Sequence, residues 1–359
     1  MKITIDISQV IYQTGVSVYT ANLVKNLLNI DKKNEYLLFG GSLRRKGDLK
    51  AFTKNLKGDF NEKYIVFPPT LANILWNRLH IVKVEMFVGK TDVFHSSDWT
   101  QPPTDAFKVT TIHDLTPFKY PKFTHPDIVS AHKAKMKWVI KEVDRIIVPS
   151  ESTKEDMIFM KADKKKISVI PESVDSDFKP AKSSAVEKTK KRLKIGKSYL
   201  LSIGVGPRKN TGGIIKAYKR LKGEYDYNLV IVGHDHYGYG EGEGVIFTGH
   251  LNKGDLINLY SGAEMLVYPS YYEGFGLPIL EAFACGCPVL TSNSSSTPEV
   301  AGDAAVLINP NNEKEIVGGI AKVVKERNEL VLKGKKRLKQ FSWEKMAKET
   351  LKVYQEANQ

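Results

Sequence analysis

Two cysteines in 359 residues offer no disulfide framework. Cys285 and Cys287 are separated only by Gly286, a spacing that would strain a disulfide, so both are expected as small buried thiols in a reducing compartment. No apolar run approaches the ~20 residues of a membrane span. MKITIDIS at the amino terminus enters an alternating strand pattern with no apolar signal core, so the expected location is the cytoplasm. GxSxG, HExxH and CxxC are missing, which removes the usual signatures of a serine elbow, a zinc protease and a thiol redox site.

An uneven charge distribution is missing too. The net charge is +14, yet residues 1–175 carry 27 Lys and Arg against 20 Asp and Glu, and residues 176–359 carry the same numbers. Without a basic domain or tail, a dedicated nucleic-acid surface is not expected. The densest clusters, KAKMKWVIK (133–141) and RRK (44–46), together with the Trp76/Phe87 segment, raise contact with an anionic membrane surface.

What the chain has in abundance is alternation of short Val/Ile/Leu strands with helical patterns. Strands read at 2–8, 35–40, 64–68, 92–96, 108–114, 145–150 and 166–171, with helices at 16–28 and 74–87 among those between them. The Lys/Ser-rich stretch 178–192 reads as a linker. Further strands follow at 198–206, 228–233, 245–249, 264–270, 288–292 and 305–310. Near-continuous apolar strands joined by helices imply parallel sheets covered on both faces. The α/β chain is therefore expected to form two Rossmann-like domains, 1–175 and 176–341, with parallel sheets facing across a crevice. Ligands in such sheets bind beyond the carboxyl ends of strands.

Four segments stand at such ends. In SIGVGPRKNTGG (202–213), Arg208 and Lys209 precede a helix start, which suits an anion better than a solvated basic turn does. In YYEGFGLPILEAF (271–283), Glu273 and Glu281 flank a strand-to-helix corner, and Gly274 and Gly276 let backbone amides approach a ligand. Those carboxylates fit hydroxyl binding better than a metal, for which no further ligands are local. His113 follows a strand in TIHDLTPF (111–118), and Gly15 precedes a helix in QTGVSVY (13–19). The His- and Gly-rich 233–244 reads as a loop, and Asp175-Ser176-Asp177 is set aside as part of the domain junction.

Together these pieces resemble glycosyltransferase family 4, retaining enzymes of the GT-B fold. The resemblance is carried by PSYYEGFGLPILEAFACGCPVLTSNSSSTPEVAGDAAVLINPNN (269–312), with seven residues between the two glutamates, and by TGVSVYTANL, FHSSDWTQPP, TIHDLTPF, VPSESTKEDM, VIPESVDSDF, GPRKN, IFTGHL and FSWEKMAKETLKVY. LWNRLHI, FHSSDWTQPP and IHDLTPF are similar to bacterial mannosyltransferases that extend O-antigen-type polysaccharides. Ser173 stands where the family usually has glycine.

The resemblance implies roles. Arg208 and Lys209 would neutralise a donor diphosphate, and Glu281 would bind the ribose. Glu273 would contact the transferred sugar, while the backbone of Gly274, Phe275, Gly276 and Leu277 lines its pocket. Gly15 would border the diphosphate, His113 would lie near the sugar, and a helix at about 342–359 would pack back on the first domain, the acceptor side. The implied donor is GDP-mannose, and the acceptor a saccharide or lipid-linked saccharide. Cofactors and metals are not expected, and the inner face of the cytoplasmic membrane is the implied place of work. A UDP-sugar donor, an epimerase or phosphorylase on the same architecture, and an inactive nucleotide-sugar-binding scaffold remain as alternatives.

Overall fold

The computed structural model describes every residue except Gln13, Lys222, Glu241 and Gln359. The chain forms two units, Met1–Glu172 with Ser342–Gln359, and Ser173–Phe341. The terminal helix Trp343–Gln355 thus belongs to the first unit, where Tyr19 and Trp343 meet edge to face. Its amino end is capped by Ser342, whose Oγ accepts from the Lys345 amide, a contact worth about 1 kcal/mol.

The first unit holds seven strands: β1 (Lys2–Asp6), β2 (Glu35–Gly41), β3 (Asn61–Ile65), β4 (Val93–Ser96), β5 (Phe107–Thr111), β6 (Arg145–Val148) and β7 (Ile167–Val169). They pair in parallel in the order β3-β2-β1-β4-β5-β6-β7. The second unit has β8 (Ser198–Ile203), β9 (Tyr227–Val232), β10 (Val245–Phe247), β11 (Met265–Tyr268), β12 (Val289–Ser292) and β13 (Ala305–Ile308). Its order is β10-β9-β8-β11-β12-β13, again all parallel. Central strands such as Val93–Ser96 and Met265–Tyr268 are buried along their whole length, which is why they read as unbroken apolar runs rather than alternations. In each sheet the order reverses once, between β1 and β4 and between β8 and β11, and there the loops diverge to leave room for a ligand.

Two expectations are corrected. Residues 183–192 of the expected linker form a helix that buries Val186 and Thr189, because charged side chains around two buried positions still suffice for one packed face. The expected single helix over 74–87 is broken into a π-helical turn (Asn73–Arg78), which continues a short helix (Pro69–Ala72), and a separate turn (Glu85–Val88). His80 and Val82 take positive φ of 53° and 66° between them, which no helix can contain.

Candidate functional site

β8 ends at Ile203 and the chain turns through Gly204 at φ 85°. A β-carbon on Gly204 would stand 3.1 Å from Cε of Lys209. The missing side chain therefore lets the Lys209 stem fold back over the strand end. Its Nζ donates to Glu273 Oε1 at 2.7 Å and to the Tyr268 hydroxyl at 2.6 Å, 4.7 Å from the Tyr268 ring centre. Arg208 Nη1 lies 2.9 Å from the other Glu273 oxygen and 2.6 Å from the Tyr272 carbonyl. Thr211–Leu221 follows as a helix, so two cations and one carboxylate, positive in sum, sit beside a helix amino terminus.

Glu273 is 8% exposed. Burial alone would raise its carboxyl, but Lys209 and Arg208 outweigh that and hold it at about 2. It is an ionised acceptor at any physiological pH. The loop that carries it is pinned from behind by a serine run. Glu273 N donates to Ser295 Oγ at 2.9 Å, and Ser296 Oγ donates to the Glu273 and Phe275 carbonyls at 2.9 and 2.7 Å. The Phe275 ring is buried against Phe341 in the apolar core, so only its backbone can serve a ligand. Gly274 is buried beside it. Gly276, at φ 110°, is the cap of the helix Leu277–Cys285, with Pro278 in the first turn.

Glu281, on the next turn of that helix, has a different environment. Burial pushes its carboxyl up to about 7 against a 2.7 Å bond from the Tyr260 hydroxyl and the field of Lys209. Two carboxylates of one motif thus take opposite shifts, the pattern of groups with separate tasks. Cys285 and Cys287 are free and buried, and burial raises both thiols, Cys285 to about 12. Asp175 and Asp177 both pair with Lys253, at 2.7 and 2.9 Å. Among the described residues no group of three or more His, Cys, Asp or Glu is arranged to hold a metal.

In the first unit His113 leaves β5 and donates through Nδ1 to Glu172 Oε1 at 2.9 Å, with the Tyr19 ring 4.7 Å away, edge on. Burial disfavours the imidazolium, yet Glu172, Asp98 and Asp114 outweigh it and raise the His113 pKa. His95 behind it is bonded to Tyr354 at 2.6 Å and Thr111 at 3.0 Å, and burial with the neighbouring His113 and Lys135 pushes it down to about 3. Gly15 is exposed in the first turn of the helix Gly15–Ile30, where Thr14 and Ser17 cap each other's amides.

A cavity of about 300 Å³ opens in the same unit at the point where the sheet order reverses. Asp6, Tyr12, Phe67, Trp76, Trp99 and Asp127 are among its walls. Asp6 accepts from the Ser8 amide at 2.9 Å, and burial raises its carboxyl. The buried ammonium of Lys135 donates to the Ser97 and Asp98 carbonyls at 2.9 and 3.1 Å and so fixes the loop carrying Trp99.

Sequence reasoning missed Tyr260, Tyr268, Glu172 and the Ser294–Ser296 run. Of these only Glu172 left a signal, a carboxylate just past a strand's carboxyl end.

Residues 13–178 match the family model described as Glycosyltransferase Family 4, and residues 184–356 match Glycosyl transferases group 1. The chain is 29% identical to O-antigen chain mannosyltransferase B of Escherichia coli, over 95% of this chain and 96% of that one. It is 32% identical to O-antigen chain mannosyltransferase RfbU of Salmonella typhimurium over 57% of each. Among solved structures, Anabaena HepE in complex with UDP-glucose superposes over 99% of this chain and 100% of its own with a TM-score of 0.72 at 14% identity, a likeness of fold. The chain is a glycosyltransferase of the GT-B fold, a family 4 amino-terminal domain joined to a group 1 carboxy-terminal domain.

Proposed function

We propose that the chain transfers mannose from GDP-mannose, with retention and without a metal, to a saccharide or lipid-linked saccharide in O-antigen-type polysaccharide assembly at the inner face of the cytoplasmic membrane. The observation that carries this reading is the Arg208–Glu273–Lys209 cluster beside a helix start. Breaking a sugar–diphosphate bond builds negative charge on the leaving phosphate, and preorganised cations there lower the barrier. Arg208 and Lys209 supply that charge. Glu273, ionised between them, accepts from hydroxyls of the sugar, and the amides of Gly274, Gly276 and Leu277 serve the sugar and phosphate. Glu281 accepts from the ribose. Within the amino-terminal unit, Glu172 orients His113 near the transferred sugar, and Gly15 opens a helix whose start suits a diphosphate. The cavity walled by Trp99, Tyr12 and Asp6 takes the acceptor saccharide, with aromatic faces for the ring and a carboxyl for its hydroxyls.

Mannose and the acceptor class are supported by the likeness to the two O-antigen chain mannosyltransferases. A UDP-sugar donor is the second reading, favoured by the UDP-glucose bound to HepE. A thermal-shift panel of GDP-, UDP-, ADP- and dTDP-sugars, run with and without EDTA, decides between them. GDP-mannose should raise the midpoint most, unaffected by the chelator. A larger shift with a UDP-sugar, or loss of the shift with EDTA, overturns donor or metal independence respectively.

A further inference from the structure

The segment between β3 and β4 holds two apolar side chains out to solvent by a strained turn. Leu79 and Ile81 are 57% and 50% exposed, although they alternate with residues at positive φ, His80 and the β-branched Val82. Such a conformation persists only where the surroundings over-determine it. Here they do. The His80 ring stacks on Trp138 at 3.7 Å and bonds to Glu142 at 2.7 Å and to the Trp76 carbonyl at 2.8 Å. Trp76 Nε1 donates to the Val82 carbonyl at 3.0 Å, and Trp138 Nε1 donates to the Asn77 carbonyl at 2.7 Å. These contacts lock the turn, and Leu79 and Ile81 are the apolar side chains it leaves exposed.

Leu71, Ile74 and Met86 on the same segment are also exposed, while Trp76 is buried and Phe87 packs against the core. The apolar outer surface is therefore not the one that Trp76 and Phe87 suggested. Beside it runs a basic stripe. Lys133, Lys137 and Lys141, spaced by four on the helix Pro126–Glu142, are exposed. Lys137 and Lys141 lie over the same Trp138 ring that clamps His80, at 5.0 and 5.3 Å. Arg78 is exposed at the junction and donates to Ser130 at 3.1 Å.

We propose that Leu71, Ile74, Leu79, Ile81 and Met86, with the Lys133–Lys137–Lys141 stripe, form a docking surface for an anionic lipid bilayer. The inference rests on the membrane reading above and specifies the surface. Apolar side chains rimmed by cations match acyl chains beneath anionic headgroups. A second copy of the chain is a poor match, since a two-fold contact would set the lysine stripes against each other. The inner side of the same segment, at Thr70, Asn73 and Trp76, walls the 300 Å³ cavity. Docking here brings that cavity beside the headgroups, where a lipid-linked saccharide is held.

The test is co-sedimentation of the full chain with phosphatidylcholine vesicles with and without phosphatidylglycerol, at low and high salt. The wild type should bind phosphatidylglycerol vesicles at low salt and at least about tenfold more weakly at high salt. Leu79→Ser with Ile81→Ser, and separately Lys133→Gln, Lys137→Gln and Lys141→Gln together, should each weaken binding about tenfold or more with the thermal midpoint kept. If the wild type binds and both variants bind equally well, the surface is wrong while the membrane reading stands. If the wild type binds no vesicles, both fall. A wild-type dimer in sedimentation that Leu79→Ser with Ile81→Ser dissociates, without vesicle binding, assigns the surface to a second copy and overturns the proposal.

Discussion

Lys209 Nζ stands 2.7 Å from Glu273, so the charge available for a phosphate and the carboxylate available for a sugar are held by each other. Removing Glu273 takes away the carboxylate that both Arg208 and Lys209 contact, at side chains only 23% and 17% exposed. Glu273→Ala should cost roughly 2–4 kcal/mol of stability as well as about 10²-fold in turnover. Glu273→Gln should keep more of the fold and lose as much activity. Denaturant unfolding beside initial rates checks both.

The same carboxyl sets an acid limit. Its folded pKa, about 2, lies below the ordinary 4.5, so its stabilisation is present above 4.5 and is lost as pH falls toward 2. The wild type should lose stability over that window more steeply than Glu273→Gln, as urea midpoints at stepwise lower pH will show.

Glu281 has the opposite sign. With a folded pKa raised to about 7, the native state binds the proton more tightly than the unfolded chain, so stability falls as pH rises from 4.5 through 7. Glu281→Gln should remove that slope. Nucleotide affinity should rise over the upper part of the same range, because the ionised carboxylate offers both oxygens to the ribose hydroxyls as charged, stronger acceptors than the protonated acid. Calorimetric titration with GDP at pH 6 and 8 should show the gain in the wild type and none in Glu281→Gln.

His113 and Glu172 make a pair of the raised-histidine kind. Its stabilisation is complete below the ordinary histidine value of 6.5 and is lost as pH climbs past the raised one. The coupling in a double-mutant cycle of His113→Ala and Glu172→Gln should be larger at pH 6 than at pH 9. Glu172→Gln should also lower kcat.

Gly276 caps the helix at φ 110°, and a β-carbon there would lie 3.3 Å from Ile279 Cδ1. Gly276→Ala should cost about 1–2 kcal/mol and weaken donor binding, measured by thermal midpoint and GDP titration.

The strands were legible because both sheets are covered, leaving apolar runs such as Leu200-Leu201 and Leu229–Ile231. Glu273, Glu281, Arg208 and Lys209 were legible because each follows a strand's carboxyl end. Their partners were not. Tyr268 is 59 residues from Lys209, and Ser296 is 23 from Glu273. Such pairings are made by the return of the chain across the sheet and leave no local pattern. The segment 74–87 misled because its apolar spacing fits a helix, while Leu79 and Ile81 face water on a turn clamped by Trp138, more than fifty residues away.

The most direct test compares GDP and GMP binding, and transfer from GDP-mannose, in wild type and Lys209→Ala. If the cation cluster holds the diphosphate, the wild type prefers GDP, Lys209→Ala loses most of that preference, and turnover falls at least about 10²-fold with the fold intact. Unchanged GDP preference with near-normal transfer in Lys209→Ala would contradict the account.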